Sequence, residues 1–375
     1  MSIDHFKKDE IVTQQLRRLF CRRGFVQTQV NRFEEYQLYV ENKNFLNADN
    51  MITFMDTGGK LMALKPDVTL SIVKNLPEGQ LNHFEKLFYI EEVCRLSRDT
   101  QEYKMLSQVG VELIGPQDPF VNLEIVDLAL ESLAIVSDDY ILDVSHLGFV
   151  AGFLDAMELT YPARNRLMEA LHTKSPHYLR QVLAEAGVNE ADQQRFAALS
   201  EVTGPILEAL PRLKDLILCE AMENAWQELF RLGTMLKECG LDSRVQLDFS
   251  VVNDLDYYNG LVFLGYIKGI PDVVLTGGRY DNFMRKVGKQ SDAIGFGLSL
   301  SDLNTYFKDE RDHDFDVLLT YDGTGSYAEL LAAARAFADK GLSVRLERTG
   351  HKHQYSCPER YIFDDKGLRK ETATC

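Results

Sequence analysis

The sequence predicts an α+β fold: a β-rich domain over about residues 1–310, a helical insertion within it at about 161–242, and a small truncated α/β unit at 314–375. Three observations predict it. Runs alternating apolar and polar residues, the period of half-buried strands, cluster between residues 51 and 115 and again after 245. Between 161 and 242 the leucines fall instead at helical spacing. After the acidic DERDHDFD, the segments VLLTY, YAELLAAARAFADKG and LSVRLE read strand, helix, strand. A chain of 375 residues is long enough for two or three domains, each with its own core.

The elements follow in order. KKDEIVTQQLRRLFCRRGF is an amphipathic helix with Ile11, Leu16, Leu19 and Phe20 on its apolar side and Gly24 at its end, and the strand-like VQTQV follows. MITFMDTGGKLMALK gives two short strands around Gly58 and Gly59. Pro66-Asp67 then opens a helix, because proline's missing N–H is not needed in a first turn. KLFYIEEV and KMLSQVGVELIG are strands joined by the polar LSRDTQEY, and NLEIVDLALESLAIV is a helix. In the insertion, Ser175-Pro176 and Asn189 open helices and Gly240 closes one. VQLDFSV then alternates as a strand, Asn259-Gly260 has the φ > 0 preference of a two-residue turn, and LVFLGYI follows. VVNDLDYYNGLVF is therefore expected to form one end of a hairpin.

Asp and Glu number 57 against 41 Lys and Arg, a net charge of -16. Nucleic-acid affinity draws much of its strength from Lys and Arg neutralising phosphates, so nucleic acid is not an expected partner. MSIDHFKKDE lacks an apolar signal region, and no apolar run approaches the roughly 18 residues of a membrane span. A cytoplasmic protein with no membrane partner is expected. The six cysteines are scattered without CxxC spacing, which argues against a disulfide framework. His351, His353 and Cys357 in HKHQYSC lack a fourth ligand at matching spacing, so no metal and no cofactor are expected.

Several segments carry side chains suited to a small polar ligand. In QVGVELIG, Val109, Val111 and Leu113 face one way while Gln108, Gly110 and Glu112 face the other. Glycine between an amide and a carboxylate either leaves bare backbone for a ligand or marks a bulge in a solvent-facing stripe. In LKPDVT, Asp67 and Thr69 either cap a helix or offer a carboxylate and a hydroxyl to an ammonium group. Tyr257 and Tyr258 either pack one on each face or contribute a ligand contact. TGGRYDNF places paired glycines between a strand and a helix without the spacing of a phosphate cradle. The small residues at 293, 295 and 297 suit close backbone packing. Asp143 and His146 in DVSHLG have no nucleophile motif beside them, so His146 is expected to be a packed histidine.

Taken together and in this order, LKPDVT, QVGVE, LDYYNGLVF and GGRYD resemble the [RK]P[DE]xT segment, the QxGxE strand, the histidine-binding signature and the following glycine-rich turn of the class II histidyl-tRNA synthetase core. They more closely resemble those of its non-aminoacylating relatives, the family of ATP phosphoribosyltransferase regulatory subunits. The similarity runs from about residue 5 to 305. It implies a class II aminoacyl-tRNA synthetase-like antiparallel sheet flanked by helices, a homodimer, and a pocket for free histidine on the sheet. Carried over position by position, Asp67, Thr69 and Gln108 hold the α-ammonium and Glu112 and Tyr258 the imidazole. Tyr257 joins the histidine-binding set, and Arg95 is the candidate partner for the carboxylate.

The departures from the synthetase pattern are charge changes. Active synthetases of the family carry Arg-Gly before LDYY, whereas Asn253-Asp254 stands here. Asp302 occupies the place of the arginine that covers ATP, and Glu102 aligns with the second arginine of the motif 2 loop. Arg95 retains the first of those arginines without the glutamate that follows it. Asn31 aligns with the motif 1 proline, at the dimer contact. Two unit charges about 4 Å apart interact by on the order of 4 kcal/mol at an effective dielectric near 20, so anions in place of cations turn attraction for a triphosphate into repulsion. The resemblance thus implies no catalytic residue and no enzyme. It implies a regulatory subunit that binds histidine and is required for activity and feedback control of a short-form ATP phosphoribosyltransferase catalytic subunit, in the first step of histidine biosynthesis and within a larger hetero-oligomer. A divergent histidyl-tRNA synthetase is the alternative, and a free-standing paralogue acting on another amino acid or protein is a third reading. Residues 314–375 are shorter and less basic than the family's anticodon-binding domains.

Overall fold

The structure is a computed structural model that describes residues 8–42, 51–96, 101–116, 118–157, 159–251, 257–301, 303, 313–350 and 355–371. It divides into a large compact unit, residues 12–306, and a second that holds the C-terminal residues.

The large unit is built on two long strands, β5 (Glu85–Leu96) and β6 (Tyr103–Gly115), paired antiparallel in unbroken register. β12 (Asp292–Ser299), β11 (Leu275–Arg279), β10 (Leu261–Ile267) and β7 (Tyr140–His146) extend the sheet antiparallel from β6. With β1 (Val26–Gln27), β9 (Val245–Asp248) and β8 (Thr203–Pro205), the order is β1-β5-β6-β12-β11-β10-β7-β9-β8. β1 and β9 pair parallel with β5 and β7.

One face is covered by α1 (Lys8–Arg22) and α4 (Pro119–Val136). α1 buries Val12, Leu16 and Phe20, a stripe spaced by one helical turn, and Gly24 ends it at φ 81. The Phe20 ring lies 5.7 Å from that of Phe88 and 6.2 Å from that of Phe296. Val109, Val111 and Leu113 are buried on this side, so period two sends Gln108 and Glu112 to the other.

That other face meets a small sheet, β2-β4-β3, made of β2 (Phe33–Glu35), β3 (Thr53–Met55) and β4 (Leu61–Leu64), together with α2 (Tyr36–Glu41) and α3 (Thr69–Val73). The β3–β4 turn falls at Gly58-Gly59, with the Asp56 carboxylate accepting from the Gly58 and Lys60 amides at 2.8 Å each. α3 is a single short turn whose end is held by a buried lysine: Lys289 Nζ donates to the carbonyls of Lys74 and Leu76. Lys289→Met removes those donors and is expected to lower stability by about 1–3 kcal/mol, read by thermal or urea unfolding. An unchanged midpoint would show that α3 does not depend on this cap.

α5 (Leu147–Ala156), α6 (Tyr161–His172), α7 (Pro176–Glu185), α8 (Glu190–Ser200), α9 (Ile206–Lys214) and α10 (Glu220–Glu238) form the helical stretch. Ser175 and Asn189 cap α7 and α8 as the sequence predicts, their side chains accepting from the Tyr178 and Asp192 amides. After β11 comes α11 (Asp281–Lys286). The smaller unit has β13 (Val317–Tyr321), α12 (Tyr327–Ala338), β14 (Val344–Arg348), β15 (Glu359–Asp364) and β16 (Gly367–Lys370), in the order β14-β13-β15-β16 around Leu319, Leu330 and Phe363.

Four local expectations are corrected. β9 and β10 are not a hairpin, because β7 lies between them in the sheet, and Asn259-Gly260 makes no φ > 0 turn. The helical stretch is not free of strand, since β8 pairs with β9. Gly277 and Gly278 lie inside β11 rather than after it. Gly110 marks no bulge, because its pairings with Tyr89 and Gly297 continue the register on both sides. Among the described residues, no helix is long and apolar enough to cross a membrane.

Candidate functional site

The site lies on the α3-facing side of the sheet, and its floor is bare backbone. Gly110 on β6, Gly295 and Gly297 on β12 and Gly278 on β11 stand on this face, and a side chain rests on each. A Cβ at Gly110 would run into the Tyr89 ring, at Gly278 into Tyr258, at Gly295 into Glu112 and at Gly297 into the Gln108 amide. Glycine is required at these points because the side chains of Tyr89, Tyr258, Glu112 and Gln108 lie flat across neighbouring strands.

Glu112 is the centre. It is 2% exposed, and both of its oxygens are engaged: Thr69 Oγ1 donates to Oε1 at 2.7 Å and the Tyr280 hydroxyl to Oε2 at 2.5 Å. Burial pushes its carboxyl up to about 8, against the Tyr280 and Thr69 hydrogen bonds, while nearby Asp67 adds to the rise. An acid raised above its unfolded value makes the folded state bind the extra proton, so stability falls as pH rises from the ordinary carboxylate range towards 8. Between pH 5 and 8 the wild type is therefore expected to lose more melting temperature than Glu112→Gln, which cannot titrate. Parallel pH profiles for the two proteins would contradict this assignment.

α3 brings the LKPDVT residues to the same place. Asp67 Oδ1 accepts from the Leu70 amide at 2.8 Å, so the capping interaction is present. Thr69 turns to Glu112, so its hydroxyl serves the buried carboxyl and not the helix end. Desolvation raises the Asp67 carboxyl, opposed by the Leu70 amide and by the Arg95 and Lys65 charges. Arg95, at the exposed end of β5, donates from Nε to the Pro66 carbonyl at 3.0 Å, which places its guanidinium beside the α3 turn.

The aromatic wall is continuous. Tyr257 and Tyr258 lie 4.6 Å apart between ring centroids, and Tyr257 stacks on Phe283 at 4.9 Å and meets Tyr280 at 5.8 Å. Burial raises the hydroxyls of Tyr89, Tyr257, Tyr258 and Tyr280 well above the ordinary phenol range, so these groups act as neutral donors and acceptors. The two tyrosines do not pack on opposite faces. Asp67, Thr69, Gln108, Glu112, Tyr257 and Tyr258 are gathered at one place, with Arg95 at its rim.

Sequence reasoning missed Tyr280 and Tyr89. GGRYD was read as a glycine-rich turn and the small residues at 293, 295 and 297 as a packing device, yet the period-two glycines of adjacent strands were the available signal for side chains laid across them. Asn253, Asp254 and Asp302 lie outside the described residues, as do His351 and His353. Among the described residues, no group of three or more His, Cys, Asp or Glu could hold a metal ion. His146 is packed, with Nε2 3.2 Å from Glu228.

Comparison with known proteins places the fold in a family. Residues 2–303 match the histidyl-tRNA synthetase family. The chain is 24% identical over 304 residues to an ATP phosphoribosyltransferase regulatory subunit of Oceanobacillus iheyensis, covering 80% of this chain and 75% of the relative. It is 29% identical over 327 residues to that of Thermoanaerobacter pseudethanolicus, covering 85% and 84%. Among solved structures, an ATP phosphoribosyltransferase regulatory subunit/histidyl-tRNA synthetase from Bacillus halodurans superposes with a TM-score of 0.76 at 22% identity over 92% of this chain and 90% of that one. The ATP phosphoribosyl transferase (HisG:HisZ) complex from Thermotoga maritima gives 0.61 at 18% identity, over 79% and 98%. The chain belongs to the histidyl-tRNA synthetase family, and within it resembles the ATP phosphoribosyltransferase regulatory subunits.

Proposed function

We propose that this chain binds free histidine and serves as the regulatory subunit of a short-form ATP phosphoribosyltransferase, required for that enzyme's activity and its feedback control in the first step of histidine biosynthesis. Glu112 carries the reading. It is a deeply buried carboxyl with no cation bonded to it among the described residues, set between hydroxyls and tyrosine rings. An imidazole fits there, because its N–H can donate to the carboxyl and its other nitrogen can meet a phenol.

In this reading Glu112 and Tyr258 hold the imidazole, and Tyr257 lines it. Asp67, Thr69 and Gln108 receive the α-ammonium, which has three donors and no acceptor. Arg95 meets the carboxylate. The charge changes at Glu102, Asp254 and Asp302 support a protein that does not form an adenylate. The exposed Phe33, Phe54, Met55 and Leu61 on the small sheet support a homodimer that covers them, within a hetero-oligomer with the catalytic subunit.

A divergent histidyl-tRNA synthetase is the second reading, favoured by the family match over residues 2–303. Histidine-dependent exchange of pyrophosphate into ATP separates the two. We expect none above background, together with calorimetric binding of histidine and co-purification with a short-form catalytic subunit. Robust exchange would overturn the regulatory reading.

A further inference from the structure

On the opposite side of the sheet, where β7, β10 and β11 meet α4 and α10, the structure has a cavity of about 430 Å³. That is within the range of small-molecule sites. Its wall is a continuous polar chain: Arg279 Nη2 donates to Asn122 Oδ1 at 2.6 Å, Asn122 Nδ2 to Glu228 Oε1 at 2.7 Å, and Glu228 Oε2 lies 3.2 Å from His146 Nε2. Asn122, His146, Arg279 and Asp281 are each more than nine-tenths buried. Burying such groups costs free energy that apolar packing would avoid, and here they surround open space. His146 Nδ1 is buried with no partner among the described residues. A Cβ at Gly260 would come within 3.0 Å of Arg279 Cδ, so the wall there is bare backbone.

The charges restrict what fits. Asp118, Glu228 and Asp281 line the cavity with Arg231 and Arg279, three carboxylates against two guanidiniums, a net-acidic set that disfavours a phosphate or nucleotide. Arg279 is matched by Asp281 at 3.6 Å, whereas Arg231 has no carboxylate partner among the described residues. Against desolvation by burial, which raises it, the hydrogen bond with His146 and the nearby Arg279 guanidinium hold Glu228 at about 2, so it stays anionic. One unmatched cation and a persistent anion call for a molecule with both charges. We infer that this cavity is a second ligand site, taking a small zwitterion of the α-amino-acid class with its carboxylate at Arg231 and its ammonium at Glu228. Arg279 and Tyr280 are neighbours on opposite faces, so the two sites stand back to back across β11.

The chain's single tryptophan, Trp226, sits on α10 beside the cavity residue Gln227 and reports on that helix. The test titrates the full chain carrying Glu112→Ala with glycine, L-glutamate, L-lysine and L-histidine, and with methylammonium and inorganic phosphate as single-charge controls. Calorimetry and Trp226 emission are read. At least one zwitterion is expected to bind one per chain, neither control to bind, and Arg231→Glu to weaken the event at least tenfold. Arg231 is exposed, so this variant is expected to fold. The inference is overturned if no zwitterion binds the Glu112→Ala chain, if either single-charge control binds as well, or if Arg231→Glu changes nothing. The first of those outcomes leaves histidine binding at Glu112 intact. Conversely, a wild type that binds only through Arg231 sinks the Glu112 pocket and not this site.

Discussion

Replacing Glu112 with alanine is expected to weaken histidine binding by at least about a hundredfold. A buried hydrogen bond that is charge-assisted, as when a proton shared between the imidazole and the Glu112 carboxyl leaves one of them ionised, contributes about 1.5–3 kcal/mol, and truncation also leaves the Thr69 and Tyr280 hydroxyls without their acceptor. Glu112→Gln keeps an acceptor of the same shape and is expected to cost about tenfold, since it still receives one hydroxyl but offers an amide where the imidazole N–H needs a carboxyl. Calorimetry on the three proteins, each first shown to melt cooperatively, gives the order wild type, glutamine, alanine. Equal affinity in all three would remove Glu112 from the site.

Gly295→Ala is expected to lose both binding and stability. The new methyl would collide with the Glu112 carboxyl and with the Val111 carbonyl of the adjacent strand. The carboxyl end can swing away, but the carbonyl belongs to an unbroken ladder and cannot. Overpacking of this kind costs about 1–3 kcal/mol, so a clear drop in the unfolding midpoint is expected with the loss of histidine affinity. Gly297→Ala provides the contrast, because its methyl meets first the flexible end of Gln108. Affinity should fall there with less change in the midpoint. A Gly295→Ala protein as stable as the wild type would show that the floor is looser than its geometry.

The long periodic elements were legible in the sequence because local pattern determined them. Gln108 and Glu112 on one face of β6, and the Ser175 and Asn189 caps, need no tertiary knowledge. The hairpin at Asn259-Gly260 failed because strand order is set by packing far along the chain: β7, more than a hundred residues earlier, inserts between β9 and β10. The same limit hid Tyr280. Its hydroxyl reaches Glu112 only because β11 and β12 close the sheet beside β6, and a tyrosine after two glycines says nothing of that by itself. The grouping of Asp67, Thr69, Gln108, Glu112, Tyr257 and Tyr258 came from the family resemblance, since each segment alone left capping or packing open.

Regulation through Glu112 is read in the turnover of a short-form ATP phosphoribosyltransferase catalytic subunit with and without this chain, across a histidine titration. The chain is expected to raise the activity at least about tenfold, histidine to suppress it, and Glu112→Ala to keep the stimulation while shifting the histidine response to at least about a hundredfold higher concentration. Turnover indifferent to the chain, or a histidine response unmoved by Glu112→Ala, would contradict it.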